Sequence, residues 1–314
     1  MTTEDVKEEL IHQECKNECC AKAELCAAIM LSSGISFRGF GKFAITLSST
    51  RASVTRYYFM LAKSFFGITA EIRITRSNRL GGSTHYDLSF PEESVSGLLE
   101  LLKISNPDSL FGLRSTPAKE ILQSPCCQAA FLKSAFLVSG SIADPERAYD
   151  LRIMCSGAEM ASSVSNVMNF KGIKACYNPI RTHMVAYTKD FDSVRTFLAV
   201  TGAHSAVLKM DDLRIMKDLK NNANRQWNCD NNNIERTVQS ARKQLDDIMY
   251  LQSQIGLDKL PDWAREIASL RLDNPATPLS ELGELCDPKL GKSGVSKRLQ
   301  RLSELAQKIR EGNE

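Results

Sequence analysis

The chain has 314 residues, of which 43% are hydrophobic and 25% charged, and its formal net charge is +3. This length allows two or three domains with separate cores, and the composition is ordinary for a globular protein. The acidic start MTTEDVKEEL is not that of a signal or transit peptide. No apolar run reaches the roughly 18 residues of a membrane-spanning helix. We therefore expect a cytoplasmic protein with no membrane-spanning segment.

The ten cysteines are expected to be free thiols in a reducing compartment. Cys15, Cys19, Cys20 and Cys26 crowd one segment, which raises the alternative of a zinc site. Structural zinc sites prefer paired CxxC or HxxxH spacings, and the sequence has no such pair. Adjacent cysteines on a helix are expected to point to different faces and to chelate poorly. The sequence therefore predicts no metal site and no cofactor.

One helical pattern occurs twice in the chain. CCAKAELCAAIMLSSGI begins at Cys19, and CCQAAFLKSAFLVSGSI begins at Cys126. Aligned without a gap, the two stretches share both cysteines and five further positions, among them the pairs Leu25/Leu132 and Ser32/Ser139. Small residues in both copies indicate two helices that pack closely. Close packing alone does not explain the duplication.

The segments that follow each helix repeat the same plan. In the first copy, ISFRGFGKFAITLSS predicts a hairpin, and TRASVTRYYFMLAKSFFGI predicts a helix that ends at Gly67. TAEIRITR and THYDLSF predict two more strands, and SVSGLLELLKI predicts a closing helix. The second copy has the strand AYDLRIMCS, the helix GAEMASSVSNVMNFKGI, the strands KACYNPIR and HMVAYTK, and the helix FDSVRTFLAVTGA. Residues 1–107 and 108–220 are therefore predicted to be tandem αββαββ units that form an internal pseudo-dimer.

The paired helices resemble those of LAGLIDADG homing endonucleases, whose saddle-shaped antiparallel sheets grip duplex DNA. The resemblance implies the same α+β fold for residues 1–220. In that family the eighth position of the motif is a metal-binding carboxylate, and here Ser32 and Ser139 occupy it. Hydrolysis of a phosphodiester by bound divalent ions needs such carboxylates. We therefore expect no catalytic residues and no enzymatic activity, with a residual nuclease as the minor alternative.

The last third of the chain has a different pattern. Seven asparagines between positions 221 and 233 predict a turn-rich linker. Residues 234–314 predict an all-α domain whose first helix runs from Ile234 to about Gln254. LPDWAREIASLRLDNP predicts a second helix, and TPLSELGELCDP predicts a third with Thr277 as its N-cap. SGVSKRLQRLSELAQKIRE predicts the last helix, with Ser293 as its N-cap.

The last two helices are typical of a helix-turn-helix motif. Gly283 provides the small residue of the first helix. The second helix has a buried stripe of five apolar residues, namely Val295, Leu299, Leu302, Ala306 and Ile309. Its opposite face carries donors suited to bases and phosphates. The predicted DNA-binding residues are Lys292, Ser293, Ser296, Lys297, Arg298, Gln300 and Arg301.

Charge supports this interpretation only locally. Residues 225–314 carry 14 basic and 14 acidic side chains, so their net charge is 14 − 14 = 0. Between Pro288 and Ser303 there are five basic residues and no acidic one. A solvated basic helix face is the alternative. We favour DNA binding because the basic block falls on the predicted recognition helix.

Along nearly its whole length the chain resembles the WhiA family of bacterial regulators, which join a degenerate LAGLIDADG domain to a C-terminal helix-turn-helix. The resemblance rests on CCAKAELCAAI, FLKSAFLVSGSIADPERAYDLRI, NRQWNCDNNNIERT, EIASLRLDNP, LSELGEL and KSGVSKRL. It implies double-stranded DNA as the partner and association with the nucleoid. It also implies control of transcription of division and sporulation genes, and a role in chromosome segregation. Ser296 and Lys297 stand where Asn-His is common in the family, so the preferred DNA sequence is expected to differ.

The saddle of residues 1–220 has two predicted roles. Arg76 and Arg79 lie in the strand–loop segment TRSNRL, and Arg38, Lys42, Arg73 and Arg152 lie on or near strands, so the saddle could contact phosphates. Solvated charge on a sheet face is the alternative explanation. The main alternative function is a protein-interaction hub in which the saddle binds a protein partner.

Overall fold

The computed structural model describes residues 1–32, 34–39, 42–76, 84–109 and 112–312. It divides into two compact units, Met1–Met216 and Lys217–Glu314. The first combines helices with two four-stranded antiparallel sheets, and the second is helical, so the α+β class with a helical C-terminal part is confirmed. Within the described ranges, none of the helices has the length and apolar character needed to cross a membrane.

The chain begins with a helix that the sequence analysis did not predict. Helix α1 (Thr3–Ile11) is stabilised at its start by a reciprocal capping box: Thr2 Oγ1 accepts from the Asp5 N–H, and the Asp5 carboxylate accepts from the Thr2 N–H. Its buried residues are Val6 and Leu10. The polar residues of this segment form the exposed face of an amphipathic helix.

The first repeat follows the predicted order. It contains α2 (Glu18–Leu31), β1 (Ile35–Gly39), β2 (Lys42–Ser49), α3 (Ala52–Phe66), β3 (Glu71–Arg76), β4 (Thr84–Ser89) and α4 (Glu92–Leu101). The sheet order is β1-β2-β4-β3, with every neighbouring pair antiparallel. Helix α3 ends at Gly67, as predicted, because that residue adopts a left-handed conformation with φ of 67°.

The second repeat has the same topology. It contains α5 (Pro125–Ser139), β5 (Gly140–Ile142), β6 (Leu151–Cys155), α6 (Ala158–Phe170), β7 (Cys176–Ile180), β8 (His183–Thr188) and α7 (Phe191–Thr201). The sheet order β5-β6-β8-β7 reproduces that of the first repeat. The sequence pattern predicts only one strand before α6. Strand β5 was missed because it has three residues, too few for an alternating pattern to appear.

Helices α2 and α5 lie at the centre of the first unit. Both are buried along most of their length, and small side chains such as Ala27 and Ala135 have no exposed surface. Hydrogen bonds join the repeats across the helix pair. The Ser134 hydroxyl donates to the Glu24 carbonyl oxygen (2.5 Å), and Tyr58 Oη lies 2.7 Å from Ser134 Oγ. The duplicated helices are therefore the common core of the two repeats.

The predicted linker at 221–233 is helical. Helix α8 runs from His204 to Gln254, and every residue from 218 to 240 in it is exposed. The prediction of turns was wrong because asparagine costs a helix at most about 0.7 kcal/mol relative to alanine. Extending a formed helix adds one hydrogen bond per residue, whereas ending it requires caps. The limits of the domains stay a prediction.

The second unit has its own core. Helices α9 (Asp262–Asp273), α10 (Leu279–Glu284) and α11 (Lys292–Gly312) pack with the end of α8. The core includes Ile248, Leu251, Ile267, Leu282 and Leu299, each at most 1% exposed. Arg271 Nη1 donates to the Thr277 carbonyl oxygen (2.6 Å), which closes the turn between α9 and α10.

Candidate nucleic-acid interface

Helices α10 and α11 approach each other through a glycine. A Cβ atom on Gly283 would lie 2.0 Å from the Leu290 carbonyl oxygen and 3.2 Å from Val295 Cγ2. The Leu290 N–H donates to the Gly283 carbonyl oxygen at 2.9 Å. The turn between the helices therefore lies directly against α10, in the place where the sequence predicts the small residue of a helix-turn-helix.

The buried side of α11 agrees with the predicted stripe. Val295, Leu299, Leu302 and Ala306 are at most 1% exposed, and Ile309 is half-buried against the same core. Their spacing of three and four residues places them on one side of the helix. This packing fixes which residues of α11 face the solvent.

The opposite side of α11 carries the predicted donors. Ser296, Lys297, Gln300 and Arg301 are all exposed. Gln300 Nε2 donates to Glu304 Oε1 at 3.2 Å. Lys297 and Arg301 have neither an ion pair nor a hydrogen bond with any residue that the structure describes. These two cations lie four positions apart, so they project from neighbouring turns of one face.

Two of the five basic residues in this region have acidic partners. Arg298 Nη1 lies 2.8 Å from Glu266 Oε2, and the other Glu266 oxygen accepts from the Asp287 N–H at 2.7 Å. Lys289 Nζ donates to Glu284 at 2.9 Å, and this bond raises the pKa of the ammonium group. Arg298, which the sequence analysis predicted as a DNA contact, thus joins α11 to α9.

The start of α11 differs from the prediction in one detail. The helix begins at Lys292, and the N–H groups of Gly294 and Val295 donate to the Gly291 carbonyl oxygen at 2.9 and 3.1 Å. Ser293 lies within the first turn and is not the N-cap. Lys292 and Ser293 are both exposed beside the outward face. Thr277 is likewise not the cap of α10, because Pro278 occupies that position.

In the first unit, the serines that replace the nuclease carboxylates bond to their own helices. Ser32 Oγ donates to the Ile29 carbonyl oxygen (3.3 Å), and Ser139 Oγ donates to that of Ala135 (3.1 Å). Both residues are half-buried. A hydroxyl group that donates to its own helix offers far less to a divalent cation than a carboxylate does.

The first sheet has mixed charge on its solvent face. Arg76 ends β3 and is exposed, whereas Arg79 lies outside the described residues. Arg73 is paired in register with Asp87 of β4, so an acidic residue lies beside it. The Asp87 carboxylate accepts hydrogen bonds from Ser48 (2.6 Å) and Thr75 (3.1 Å) on the two neighbouring strands. This face therefore combines both signs of charge.

Two further strand cations have partners. Lys42 Nζ lies 2.7 Å from Glu92 Oε1, and Arg152 Nε donates to Asp150 Oδ1 at 2.9 Å. Arg152 is the only lysine or arginine in β5, β6, β7 and β8. The second sheet therefore does not provide the row of free cations that phosphate binding by the saddle would need.

The structure brings four cysteines together, which the sequence analysis did not predict. The sulfur atoms of Cys19, Cys20, Cys126 and Cys127 all lie within 4.8 Å of one another. A hydrogen bond from the Cys20 thiol holds the pKa of Cys126 below its ordinary value, and burial raises that of Cys127 to about 12. Two adjacent cysteines on one helix chelate poorly by themselves, but here two such pairs, one from each repeat, lie together. The signal was in the repeat, because both cysteine pairs align at the start of helices that pack together.

Comparison with known proteins assigns all three parts of the chain. The WhiA N-terminal LAGLIDADG-like domain matches residues 18–105, the WhiA LAGLIDADG-like domain residues 128–220, and the WhiA C-terminal HTH domain residues 223–306. The chain is 35% identical over 303 residues to the probable cell division protein WhiA of Heliobacterium modesticaldum, covering 96% of this chain and 95% of that protein. It is 34% identical over 310 residues to the protein of the same name from Bacillus cytotoxicus, covering 98% and 96%.

A solved structure has the same fold. The crystal structure of full-length DUF199/WhiA from Thermotoga maritima matches with a TM-score of 0.60 and 21% identity, and the match covers 98% of each chain. Three findings agree: the matches to the three WhiA domains, the sequence identity to curated relatives along nearly the full length, and the shared fold. The chain belongs to the WhiA family.

Proposed function

We propose that this protein is a non-enzymatic regulator of transcription that binds double-stranded DNA through α11. The observation that carries the proposal is a pair of exposed cations, Lys297 and Arg301, on the face of α11 opposite its buried stripe; neither has an ion-pair or hydrogen-bond partner among the described residues. The regulated genes are those of cell division and chromosome segregation, and of sporulation where it occurs. The curated relatives are named as probable cell division proteins. Binding to chromosomal DNA would place the protein at the nucleoid.

The packing of α11 supports a role in the major groove. A helix-turn-helix places the start of its second helix against base edges, while neighbouring groups contact the backbone. Lys292 and Ser293 lie in the first turn of α11, and Ser296 and Lys297 follow one turn later. Arg301 lies a further turn along the same face. Arginine and lysine side chains can donate hydrogen bonds to guanine or to phosphate, and a serine hydroxyl can hydrogen-bond to more than one base. Arg298 stabilises the domain through Glu266 and is not among the proposed base contacts.

The first unit supports a non-catalytic role. Among the residues that the structure describes, the four cysteines are the only group of three or more side chains close enough to hold one metal ion. Two-metal hydrolysis of DNA needs oxygen ligands around hard divalent cations, and thiolates do not suit magnesium. The serine hydroxyls at the ends of α2 and α5 donate to helix carbonyls instead.

The proposal is tested by mapping bound DNA in the host cell with the full chain and with a variant in which Lys297 and Arg301 are both changed to alanine. We expect the parent protein to occupy discrete sites near genes of cell division and segregation, and the variant to lose those sites at equal protein abundance. Occupancy that is unchanged in the double variant would refute the assignment of α11. Loss of the parent sites after a Lys308→Ala change, on the exposed far end of α11, would also contradict it.

A second candidate function for the first unit is protein binding. On the solvent face of the second sheet, Met154 is 45% exposed and Ile180 is 37% exposed. The one arginine of that sheet is ion-paired with Asp150. A surface with exposed apolar side chains and little free positive charge suits a protein better than a phosphate backbone. We expect Met154→Lys to leave DNA occupancy unchanged while it removes any partner that copurifies with the parent protein.

A further inference from the structure

The cysteine cluster lies where the two repeats meet. Cys19 and Cys20 are in the first turn of α2, and Cys126 and Cys127 are in the first turn of α5. All four sulfur atoms lie within 4.8 Å of one another. Two thiols come from each repeat, so any ligand that they share would connect the two halves of the pseudo-dimer.

We propose that these four cysteines bind a single zinc ion in a tetrahedral thiolate site. Zinc binds thiolate sulfur at about 2.3 Å in tetrahedral structural sites, which places the sulfurs about 3.8 Å apart. Sulfur atoms that already lie within 4.8 Å reach this geometry by side-chain rotation and small shifts of the helix ends. Soft sulfur ligands also exclude magnesium and calcium, which require oxygen.

The mutual distances favour a single ion over the other chemistries of clustered cysteines. In an iron–sulfur cluster with several irons the cysteines ligate different irons, so their sulfurs lie farther apart than around one tetrahedral ion. A disulfide uses two sulfurs and brings them to about 2.05 Å. Here all four sulfurs, two from each repeat, lie within 4.8 Å of one another, so one ion can reach all of them.

The surroundings of the cluster suit a metal ion that binds after the fold has formed. All four cysteines lie in the first turn of a helix, where the partial positive charge of the helix start stabilises a thiolate. Cys19 and Cys126 are exposed and Cys127 is buried, so an ion can enter from one side and be enclosed on the other. Binding releases the remaining thiol protons and couples metal affinity to the packing of the two repeats.

The test uses the full chain, purified with a phosphine reductant that does not bind zinc. We expect about one zinc per chain by elemental analysis, and we expect cobalt(II) added to metal-free protein to give the intense visible bands of a tetrahedral site with thiolate-to-cobalt charge transfer. Cys19→Ser and Cys126→Ser should each lose stoichiometric zinc after dialysis against a chelator. Cys229→Ser is the matched control, because that cysteine is exposed on α8 outside the cluster, and it should retain the metal.

Two results would overturn the proposal. One is the absence of thiolate-to-cobalt charge-transfer bands when cobalt(II) is added to the reduced, folded parent chain. That result would overturn the proposal even if the cluster forms disulfides on exposure to air. The other is zinc that remains bound in both cluster variants as it does in the control. Circular dichroism of each variant establishes that lost metal does not reflect lost folding, and the cobalt titration of the parent chain decides the question without any variant.

Discussion

Replacing Gly283 by alanine should destabilise the C-terminal unit. The added Cβ would lie 2.0 Å from the Leu290 carbonyl oxygen, well inside ordinary van der Waals contact. The obstacle is backbone, so no side-chain rotation can relieve it. The turn that precedes α11 must move away, and the hydrogen bond from the Leu290 N–H to Gly283 (2.9 Å) is strained or broken.

The magnitude follows from three terms. Overpacking in a filled interior costs about 1–3 kcal/mol. A lost hydrogen bond adds about 0.5–1.5 kcal/mol. Alanine in place of glycine within a helix returns about 1 kcal/mol through its higher propensity. The expected net loss in the free energy of unfolding is therefore about 0.5–3.5 kcal/mol.

The control is the same substitution at Gly294. An added Cβ there would lie 3.5 Å from its nearest neighbours, the Leu290 side-chain atoms, which is ordinary contact. Gly294→Ala should therefore raise stability by up to about 1 kcal/mol. Urea unfolding is followed by the fluorescence of Trp263, which packs against the C-terminal core, in a Trp227→Phe background that removes the only other tryptophan. If Gly283→Ala is as stable as Gly294→Ala, the close approach of α10 and the turn has been misjudged.

Three further outcomes are expected. Lys133→Ala should lower the free energy of unfolding of the first unit in urea by about 3–5 kcal/mol, because Glu24, which is 2% exposed and 3.2 Å away, would keep a buried charge without its partner. The surface change Lys22→Ala should lower it by less than about 1 kcal/mol. Equal effects of the two changes would argue against the buried pair. Glu266→Gln should destabilise the second unit by about 1–2 kcal/mol, since the half-buried partner Arg298 loses its carboxylate, and unchanged stability would mean that this pair contributes nothing. Purified protein with magnesium or manganese should leave supercoiled plasmid intact, and metal-dependent nicking would contradict the non-enzymatic account.

The duplication made most of the first unit predictable. Two copies of one helical pattern, each followed by strands and a helix, imply a pseudo-dimer, and both sheets have the same strand order. The missing acids at Ser32 and Ser139 also follow from the sequence alone. Strand β5 could not be predicted, because pairing with β6 stabilises three residues that have no pattern of their own.

The outward face of α11 was predictable from the spacing of its apolar residues, but the partners of its charges were not. Lys297 and Arg298 are neighbours in sequence, and only tertiary packing places Glu266 beside Arg298. The same limit applies to the cysteines, since the distance between Cys19 and Cys126 depends on how two helices pack. The asparagine-rich sequence at 221–233 suggested turns. Residue propensity alone neglects the cost of a break, which requires one helix to end and a second to begin, each with its own unsatisfied backbone groups.

The central claim is that the exposed face of α11 reads DNA, and the most direct test is the binding of Lys297→Ala and Arg301→Ala to a duplex selected with the parent protein. We expect each change to weaken specific binding by about 1–3 kcal/mol, or to lower the salt slope by about one if the contact is to phosphate, with thermal stability unchanged. Lys308→Ala, on the exposed far end of the same helix, should bind as the parent does. If both substitutions, in folded protein, bind the selected duplex as tightly as this control, α11 is not the recognition helix.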